Sequence, residues 1–153
     1  MFAHLRSPFP LSSDWAALLL RIAFGGFMAI NHGWPKWLSY SEKAANWADP
    51  LGVGGPASLA LAIFGELICG ILIVLGLFTR LAVIPAGITM AVVVLLVQWS
   101  EPFAKKEYAL LFLFAYAAIY WLGSGRYSLD AVLAGRDKTG SGGNQAADHL
   151  DHA

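Results

Sequence analysis

Long apolar runs of about 20 residues, separated by shorter polar stretches, constrain this chain more than any other feature of its sequence. A helix rises 1.5 Å per residue, so a run of this length matches the hydrocarbon core of a bilayer, which is about 30 Å thick. The composition agrees, because 58% of the residues are hydrophobic and only 13% are charged. An average soluble chain carries about 25% charged residues. The sequence therefore predicts an integral membrane protein.

The runs must form helices, because an open sheet edge in hydrocarbon would leave backbone groups unpaired at a cost of several kcal/mol each. Gly and Pro between His32 and Lys36 predict that the first helix ends there. Two short loops and one long loop then join the spans into an all-α fold, a transmembrane antiparallel four-helix bundle. The predicted spans are about residues 15–31, 57–77, 81–99 and 107–122.

The four spans form one membrane domain, residues 15–133, between an N-terminal segment, residues 1–14, and a C-terminal tail, residues 134–153. We expect the tail to be disordered, since it is rich in Gly, Asp and Asn. An even number of spans places both termini on one side of the membrane. Every arginine outside the spans falls on that side, whereas four lysines lie opposite, so the charge bias predicts cytoplasmic termini.

Several kinds of site are excluded or disfavoured. The net charge is zero and basic residues form no stripe, which argues against nucleic acid as a partner. Cys69 is the one cysteine, so the chain has no internal disulfide and no dithiol pair. A haem held by two histidines needs a second histidine near the membrane besides His32. We predict no metal site, since His149 and His152 lie in the tail and are expected to be solvated.

Two ionisable residues lie inside the predicted spans, Arg21 in the first and Glu66 in the second. A charge at the centre of a span costs roughly 2.5–3.5 kcal/mol on insertion scales, so such residues usually have a partner. Antiparallel helices centred near residues 23 and 67 would place the two side chains about 5 Å apart along the axis. We predict an ion pair between them. Two interpretations remain open, a structural tie that fixes the helix register and a site that binds a polar group or moves protons.

Polar residues also gather at the non-cytoplasmic ends of the spans, where the first span delivers His32, the third Gln98 and the fourth Glu107. A carboxylate beside an imidazole suits proton exchange near neutral pH, so we predict a proton-exchange mouth at His32 and Glu107. The alternative is a hydrogen-bonded histidine that caps the first helix. At the cytoplasmic boundary Arg80 and Arg126 have the position of topology anchors. Arg126 is also spaced to form a salt bridge with Asp130.

Four stretches of the sequence combine into a recognisable pattern, and together they resemble the DoxX family of bacterial membrane proteins over about residues 18–133. The first closes the first span and the second lies inside the second span. The third is the tight turn before the third span, and the fourth follows the last span. They read HGWPK at 32–36, GE at 65–66, GLFTR at 76–80 and GSGRYSLD at 123–130.

The resemblance implies a four-span bundle in the bacterial inner membrane and an association with redox proteins, since members are commonly labelled oxidoreductases. Related proteins include a membrane subunit of a thiosulfate:quinone oxidoreductase and partners of detoxifying redox proteins. No general catalytic assignment comes with the family, so the matching positions are candidates for a site. These positions are Arg21, His32, Lys36, Glu66, Arg80, Arg126 and Asp130.

The leading hypothesis is a DoxX-type protein that takes part in quinone-linked redox or detoxification chemistry, as a subunit of a membrane complex. A quinone would then lie against the aromatic side chains, and electrons would come from it or from a redox partner protein, because the sequence shows no bound cofactor. The second hypothesis is a non-catalytic scaffold that anchors partner proteins. The third is a small-molecule permease, which with four spans would work as a homo-oligomer. In each case membrane lipid surrounds the bundle.

Overall fold

The computed structural model describes residues 13–141, with side chains described through residue 135. Within this range the chain is helical and forms no β-strand, so the predicted all-α class is confirmed. A short 3-10 turn, Ala44–Asn46, follows the second helix. The helices in chain order are α1 Ser13–Leu38, α2 Tyr40–Lys43, α3 Gly55–Leu75, α4 Thr79–Val97, α5 Phe103–Leu122 and α6 Leu129–Ser141.

Three of the described helices, α1, α3 and α4, are long and apolar enough to cross a membrane. They have 26, 21 and 19 residues. Helix α5 has 20 residues, but its first residues read FAKKE and bring three charges into its N-terminal turns. The chain therefore has the helices of a membrane protein, and α5 differs from the other three in its charged start.

The first long helix does not end near residue 31 as predicted, since α1 continues through Pro35 to Leu38. The reason is a wider π turn at Met28–Gly33, in which the Trp34 N–H donates to the Ala29 carbonyl five residues back. Pro35 then falls in the first turn of the helical segment that follows, where a missing backbone donor costs little. The Gly-Trp-Pro stretch therefore continues the helix and carries Lys36 along it.

Helices α3 and α4 are joined by a turn of three residues, 76–78, so α3 ends and α4 begins two residues earlier than predicted. Gly76 has φ +68°, which suits the residue that closes a helix in the left-handed conformation. The Leu77 N–H donates to the Leu72 carbonyl at 3.0 Å, and this hydrogen bond over six residues ends the helix. This turn fixes α4 beside α3 in antiparallel orientation.

The long helices pack in a ring of contacts, α1 on α3, α3 on α4, α4 on α5 and α5 on α1. Small residues allow the closest approach, between α1 and α3. A Cβ on Gly25 would lie 2.9 Å from the Gly70 carbonyl oxygen, and one on Gly33 would lie 2.6 Å from the Leu67 Cα. Such small-residue contacts are typical of helix packing in membranes. They also set which residues of α1 and α3 face one another.

The predicted disordered tail begins with residues that are helical in the structure. Helix α6 continues past residue 133 to Ser141, so residues 134–141 of the expected disordered tail are helical. Residues 142–153, with His149 and His152, lie outside the described residues, as do residues 1–12 of the expected N-terminal segment.

Candidate functional site

Glu66 is 2% exposed in the middle of α3, and it is bound by Lys36 from α1. The Lys36 Nζ donates to both carboxylate oxygens of Glu66. The predicted partner, Arg21, does not contact Glu66, so the predicted Arg21–Glu66 pair is wrong. The helix register explains the difference. With Gly25 beside Gly70 and α1 continuing beyond residue 33, Lys36 arrives at Glu66.

Arg21 is 1% exposed and lies beside the C-terminal turn of α3. Its Nε donates to the Ile73 carbonyl at 3.0 Å and its Nη2 to the Tyr127 carbonyl at 2.8 Å, while Nη1 donates to the Ser124 carbonyl. Ile73 is seven residues from Glu66, which is about 10 Å along the helix. The C-terminal carbonyls of a helix carry partial negative charge and favour a cation. Arg21 therefore ties α1 to α3 and to the segment after α5, which is a structural role.

A cavity of about 410 Å³ lies between α3 and α4 next to the Lys36–Glu66 pair, and we call it the Glu66 cavity. Its wall is mostly apolar, and the loop between α2 and α3 closes one side with Trp47. The Lys36 Nζ lies 5.9 Å from the centre of the Trp47 ring, a cation–π distance. The other apolar lining residues include Phe64, Pro85, Ile88, Val92 and Val97.

Gln98, at the end of α4, gives the Glu66 cavity an unused hydrogen-bonding atom. Its Oε1 is buried and has no hydrogen-bond partner among the described residues. Buried polar atoms are normally bonded, so this acceptor beside the cavity lacks the bond that a water or a bound donor would supply. Thr89, also on the wall, is satisfied, since its hydroxyl donates to the Pro85 carbonyl at 2.9 Å.

The loop that carries Trp47 is held in shape by Asp49. Its carboxylate accepts hydrogen bonds from the Ser58 hydroxyl at 2.6 Å, the Gly54 N–H at 2.7 Å and the Val53 N–H at 3.0 Å. The Ser58 hydroxyl and these amides hold the pKa of Asp49 below its usual range. Asp49 therefore stays ionised at neutral pH and ties the loop to the start of α3.

The predicted pair of His32 and Glu107 is also wrong. His32 stacks on Tyr108, with ring centroids 5.6 Å apart and planes at 12°, and meets the edge of Phe112. Glu107 is exposed and makes no hydrogen bond or ion pair with the described residues. The two residues were predicted to lie at the same end of the bundle, but the helical turn points Tyr108 rather than Glu107 at the imidazole.

Tyr108 separates the Glu66 cavity from a shallow groove of about 460 Å³ that contains His32 and Asn31. Tyr116 is 1% exposed, and its hydroxyl has no partner among the described residues. Gln98 Oε1 and the Tyr116 hydroxyl are therefore the buried side-chain atoms of the described residues that lack a hydrogen-bond partner.

Sequence reasoning identified Glu66 and His32 but missed the roles of Lys36 and Trp47. Lys36 was a family-pattern position beyond the predicted end of the first span. Arg21, Gly25 and Lys36 all face α3 once the helix is extended through its π turn. Trp47 lies in a loop, and no periodic pattern could have placed it on the cavity wall.

The other family-pattern positions lie at the opposite end of the molecule. Asp130 accepts from the Phe78 N–H at 2.7 Å and from the Thr79 N–H at 3.1 Å, so it caps the start of α4. It makes no salt bridge with Arg126, contrary to the predicted spacing. The Arg126 backbone N–H donates to Asp14 Oδ1 at 2.8 Å, while the side chains of Arg126 and Arg80 are exposed.

The described residues contain no group of three or more His, Cys, Asp or Glu side chains arranged to hold a metal ion. Cys69 is buried with a free thiol, in the cluster that also contains Met28 and Ile73. It lies in the packed core of the bundle, as predicted for a small packing residue.

A family model described as DoxX matches residues 16–99 of the chain. This range covers α1, α3 and α4, and it contains Arg21, Lys36, Glu66 and Gln98. No curated protein and no solved structure matches the chain.

Proposed function

The chain belongs to the DoxX family, and from this premise we propose that it binds a quinone in the Glu66 cavity and serves quinone-linked redox or detoxification chemistry in the membrane. One observation carries the proposal. An apolar cavity is lined by the Lys36–Glu66 pair and by Gln98, whose Oε1 has no partner among the described residues.

The size and chemistry of the cavity suit a quinone ring. Its volume of about 410 Å³ falls within the roughly 300–1,000 Å³ of small-molecule sites, which are apolar with a few polar groups that orient the ligand. Lys36 has three donors and uses two on Glu66, so one remains for a carbonyl oxygen of the ring. Gln98 Oε1 offers an acceptor for the hydroxyl of the reduced form. Trp47 and Tyr108 supply aromatic wall.

A bound quinone supplies chemistry in which two electrons and two protons are exchanged. The chain's own contribution is to hold those protons, since the buried Glu66 and the part-buried Lys36 are the charged side chains on the cavity wall. Lys36 Nζ would donate a proton to a ring oxygen and then be reprotonated from the membrane surface, because a neutral amine leaves the Glu66 carboxylate without a counter-charge. His32, behind Tyr108, gives a second group through which the pair exchanges protons with the membrane surface. Electrons would come from a redox partner protein.

We also propose that α5 crosses the membrane, which makes the domain an antiparallel four-helix bundle in the bacterial inner membrane with both termini in the cytoplasm. Both ends of α5 are tied to ends of the other spans. The Lys106 Nζ donates to the Trp99 carbonyl at 2.6 Å just after α4, and the Arg126 N–H after α5 bonds Asp14 at the start of α1. The charges at the start of α5 are then at the membrane surface.

The test is quinone retention by the full chain purified from its membrane in mild detergent, followed by lipid extraction and mass spectrometry. We expect quinone to copurify with the wild type. Gln98→Leu should lower the retained quinone at least several-fold with little change in thermal midpoint. Asn31→Leu, which replaces an exposed amide on α1 outside the Glu66 cavity, is the matched control and should retain as much quinone as the wild type.

The ion pair needs a design that separates folding from binding. Glu66→Gln alone leaves the part-buried Lys36 ammonium without its counter-charge. Breaking a fully buried pair costs about 3–5 kcal/mol, so the loss here should be smaller, whereas replacing both partners by apolar residues is often neutral. We therefore expect Lys36→Met with Glu66→Leu to restore the stability that Glu66→Gln loses, but to retain no quinone. A stable double variant with wild-type quinone content would overturn the proposal. Wild-type protein that copurifies with protein partners and no quinone would support a scaffold instead.

A further inference from the structure

A second cavity, of about 700 Å³, lies at the opposite end of the molecule from Gln98. It is formed where α1 begins, where α3 turns into α4 and where α5 passes into α6. Two arginines line it, Arg80 in the first turn of α4 and Arg126 in the segment after α5. We call this the arginine cavity. It shares no lining residue with the Glu66 cavity.

The acidic residues of the arginine cavity are occupied, whereas its basic residues are not. Asp130 accepts from the Phe78 N–H, the Thr79 N–H and the Thr79 hydroxyl, and Asp14 accepts from the Arg126 N–H. Within the described part of the chain, the guanidinium groups of Arg80 and Arg126 make no hydrogen bond, ion pair or ring contact. The cavity therefore presents two guanidinium groups that are free to bind a ligand. Its two carboxylates are already hydrogen-bonded to backbone N–H groups.

An apolar flank lies next to these donors. The residues on either side of the Thr79–Arg80 pair are Phe78 and Leu81, which are 59% and 66% exposed, and both line the cavity. Trp15 and Tyr127 pack together nearby, with ring centroids 4.7 Å apart. Paired aromatic residues at helix ends are typical of the membrane–water interface. A ligand here would meet cations at one end and hydrocarbon at the other.

We propose that the arginine cavity binds an anionic phosphate group, carried by the headgroup of a phospholipid, with a free phosphate monoester as the other source of the same chemistry. Arg matches phosphate with two parallel hydrogen bonds. Asp14 and Asp130 equal the two arginines in formal charge but are held by backbone N–H groups, so the guanidinium groups are the charges free to select an anionic over a zwitterionic headgroup. The apolar flank beside Arg80 favours the lipid. The proposal is independent of quinone binding, since the two cavities lie at different ends of the bundle.

The test is a binding titration of the purified full chain in non-ionic detergent with short-chain phosphatidylglycerol, short-chain phosphatidylcholine and glycerol phosphate. We expect phosphatidylglycerol to bind at least tenfold more tightly than phosphatidylcholine, with an affinity that falls as salt rises. Arg80→Gln with Arg126→Gln should abolish this preference. Lys43→Gln, which removes an exposed cation at the other end of the molecule, should keep it.

The results distinguish a lipid headgroup, a free phosphate and the absence of selective binding. Binding of phosphatidylglycerol but not of glycerol phosphate assigns the site to the lipid, and equal binding of both assigns it to a free phosphate. Equal affinity for the two phospholipids, or a double arginine variant that keeps the preference, would overturn the proposal. The thermal midpoint of each variant without ligand checks folding, and we expect no change because both side chains are exposed.

Discussion

At the scale of single residues, the two charges buried in the spans are stabilised in different ways. Glu66 meets an opposite charge, the Lys36 ammonium, and the pair stands on the wall of a cavity. Arg21 meets only backbone carbonyls, from the end of α3 and from the segment after α5. The first arrangement leaves the Lys36 ammonium beside the Glu66 cavity. The second uses up the guanidinium and leaves it no role beyond holding three segments together.

This difference predicts the behaviour of Arg21 variants. Arg21→Leu leaves the carbonyls of Ser124 and Tyr127 without their Arg21 donor, at about 1–3 kcal/mol for each buried unsatisfied group, whereas the Ile73 carbonyl keeps its bond from the Gly76 N–H. We expect a large fall in thermal midpoint in detergent. The thermal midpoint of Arg21→Lys should lie between those of Arg21→Leu and the wild type, because an ammonium lacks the planar guanidinium geometry that reaches carbonyls on both sides.

Quinone content per folded molecule is the readout that a purely structural role leaves unchanged. It should be the same in Arg21→Lys as in the wild type, whereas Gln98→Leu loses it. A stable Arg21→Leu protein, or one that folds but specifically loses quinone, would contradict the structural assignment.

The sequence was sufficient to show that Arg21 and Glu66 are buried, because their place in apolar runs leaves few alternatives. It was insufficient to pair them. The pairing depended on where α1 ends, and the Gly-Trp-Pro stretch that normally stops a helix is accommodated here by a π turn. Lys36 consequently stays on the helix and pairs with Glu66 in place of Arg21. A local backbone detail thus decided which cation serves the carboxylate.

At the scale of elements, the contact between α1 and α3 depends on glycine. A Cβ on Gly33 would lie 2.5 Å from the Leu67 nitrogen and 2.6 Å from its Cα, both of which are backbone atoms that cannot move aside. Gly26, two residues before Met28, has open space, since its nearest neighbour would be a Val74 methyl group at 4.0 Å. The two glycines therefore form a matched pair on one helix.

We expect Gly33→Ala to separate the helices and lower the thermal midpoint by several degrees. Gly26→Ala should leave it unchanged or raise it, because alanine is favoured over glycine in a helix by about 1 kcal/mol. Separating α1 from α3 also moves Lys36 from Glu66, so Gly33→Ala should lose quinone as well. Equal stability of the two variants would show that the close approach is not what holds the elements together.

Helix positions were predictable from hydropathy to within a few residues for α3 and α4, because an apolar run bounded by Gly and Pro leaves little freedom. The start of α5 was less predictable. Lys105, Lys106 and Glu107 suggest a loop by composition, yet they belong to the first turns of the helix. Charged residues can extend a membrane helix into the headgroup layer, and a hydropathy profile alone does not assign them to the helix.

At the scale of the whole molecule, the two ends differ in character. The end that contains Asp14, Arg21 and Asp130 is joined by hydrogen bonds between segments far apart in sequence. The end that contains Trp47 and Gln98 holds the cavity and the unsatisfied acceptor. The bundle thus has one end tied by long-range hydrogen bonds and another that holds the Glu66 cavity, and we expect quinone to exchange at the second.

The proposed topology can be tested by cysteine labelling in a Cys69→Ala background. Four spans place Ser41→Cys and Ser100→Cys on the outer face and Arg126→Cys on the inner face. A membrane-impermeant maleimide should therefore label the first two in intact cells and the third only after permeabilisation. Labelling of Arg126→Cys together with Ser100→Cys would show that α5 does not cross. All three positions are exposed, so a difference in reactivity reports the side of the membrane.

The hydrogen bonds of Arg21 have a consequence for how the protein is made. Its acceptors Ser124 and Tyr127 follow it by 103 and 106 residues. At ribosomal rates of about 5–20 residues per second, the guanidinium enters the membrane roughly 5–20 s before those partners are synthesised. During that interval the nascent chain carries an unsatisfied cation in its first helix. A ribosome that stalls before the fifth helix is finished therefore leaves a product that quality-control proteases should recognise and remove.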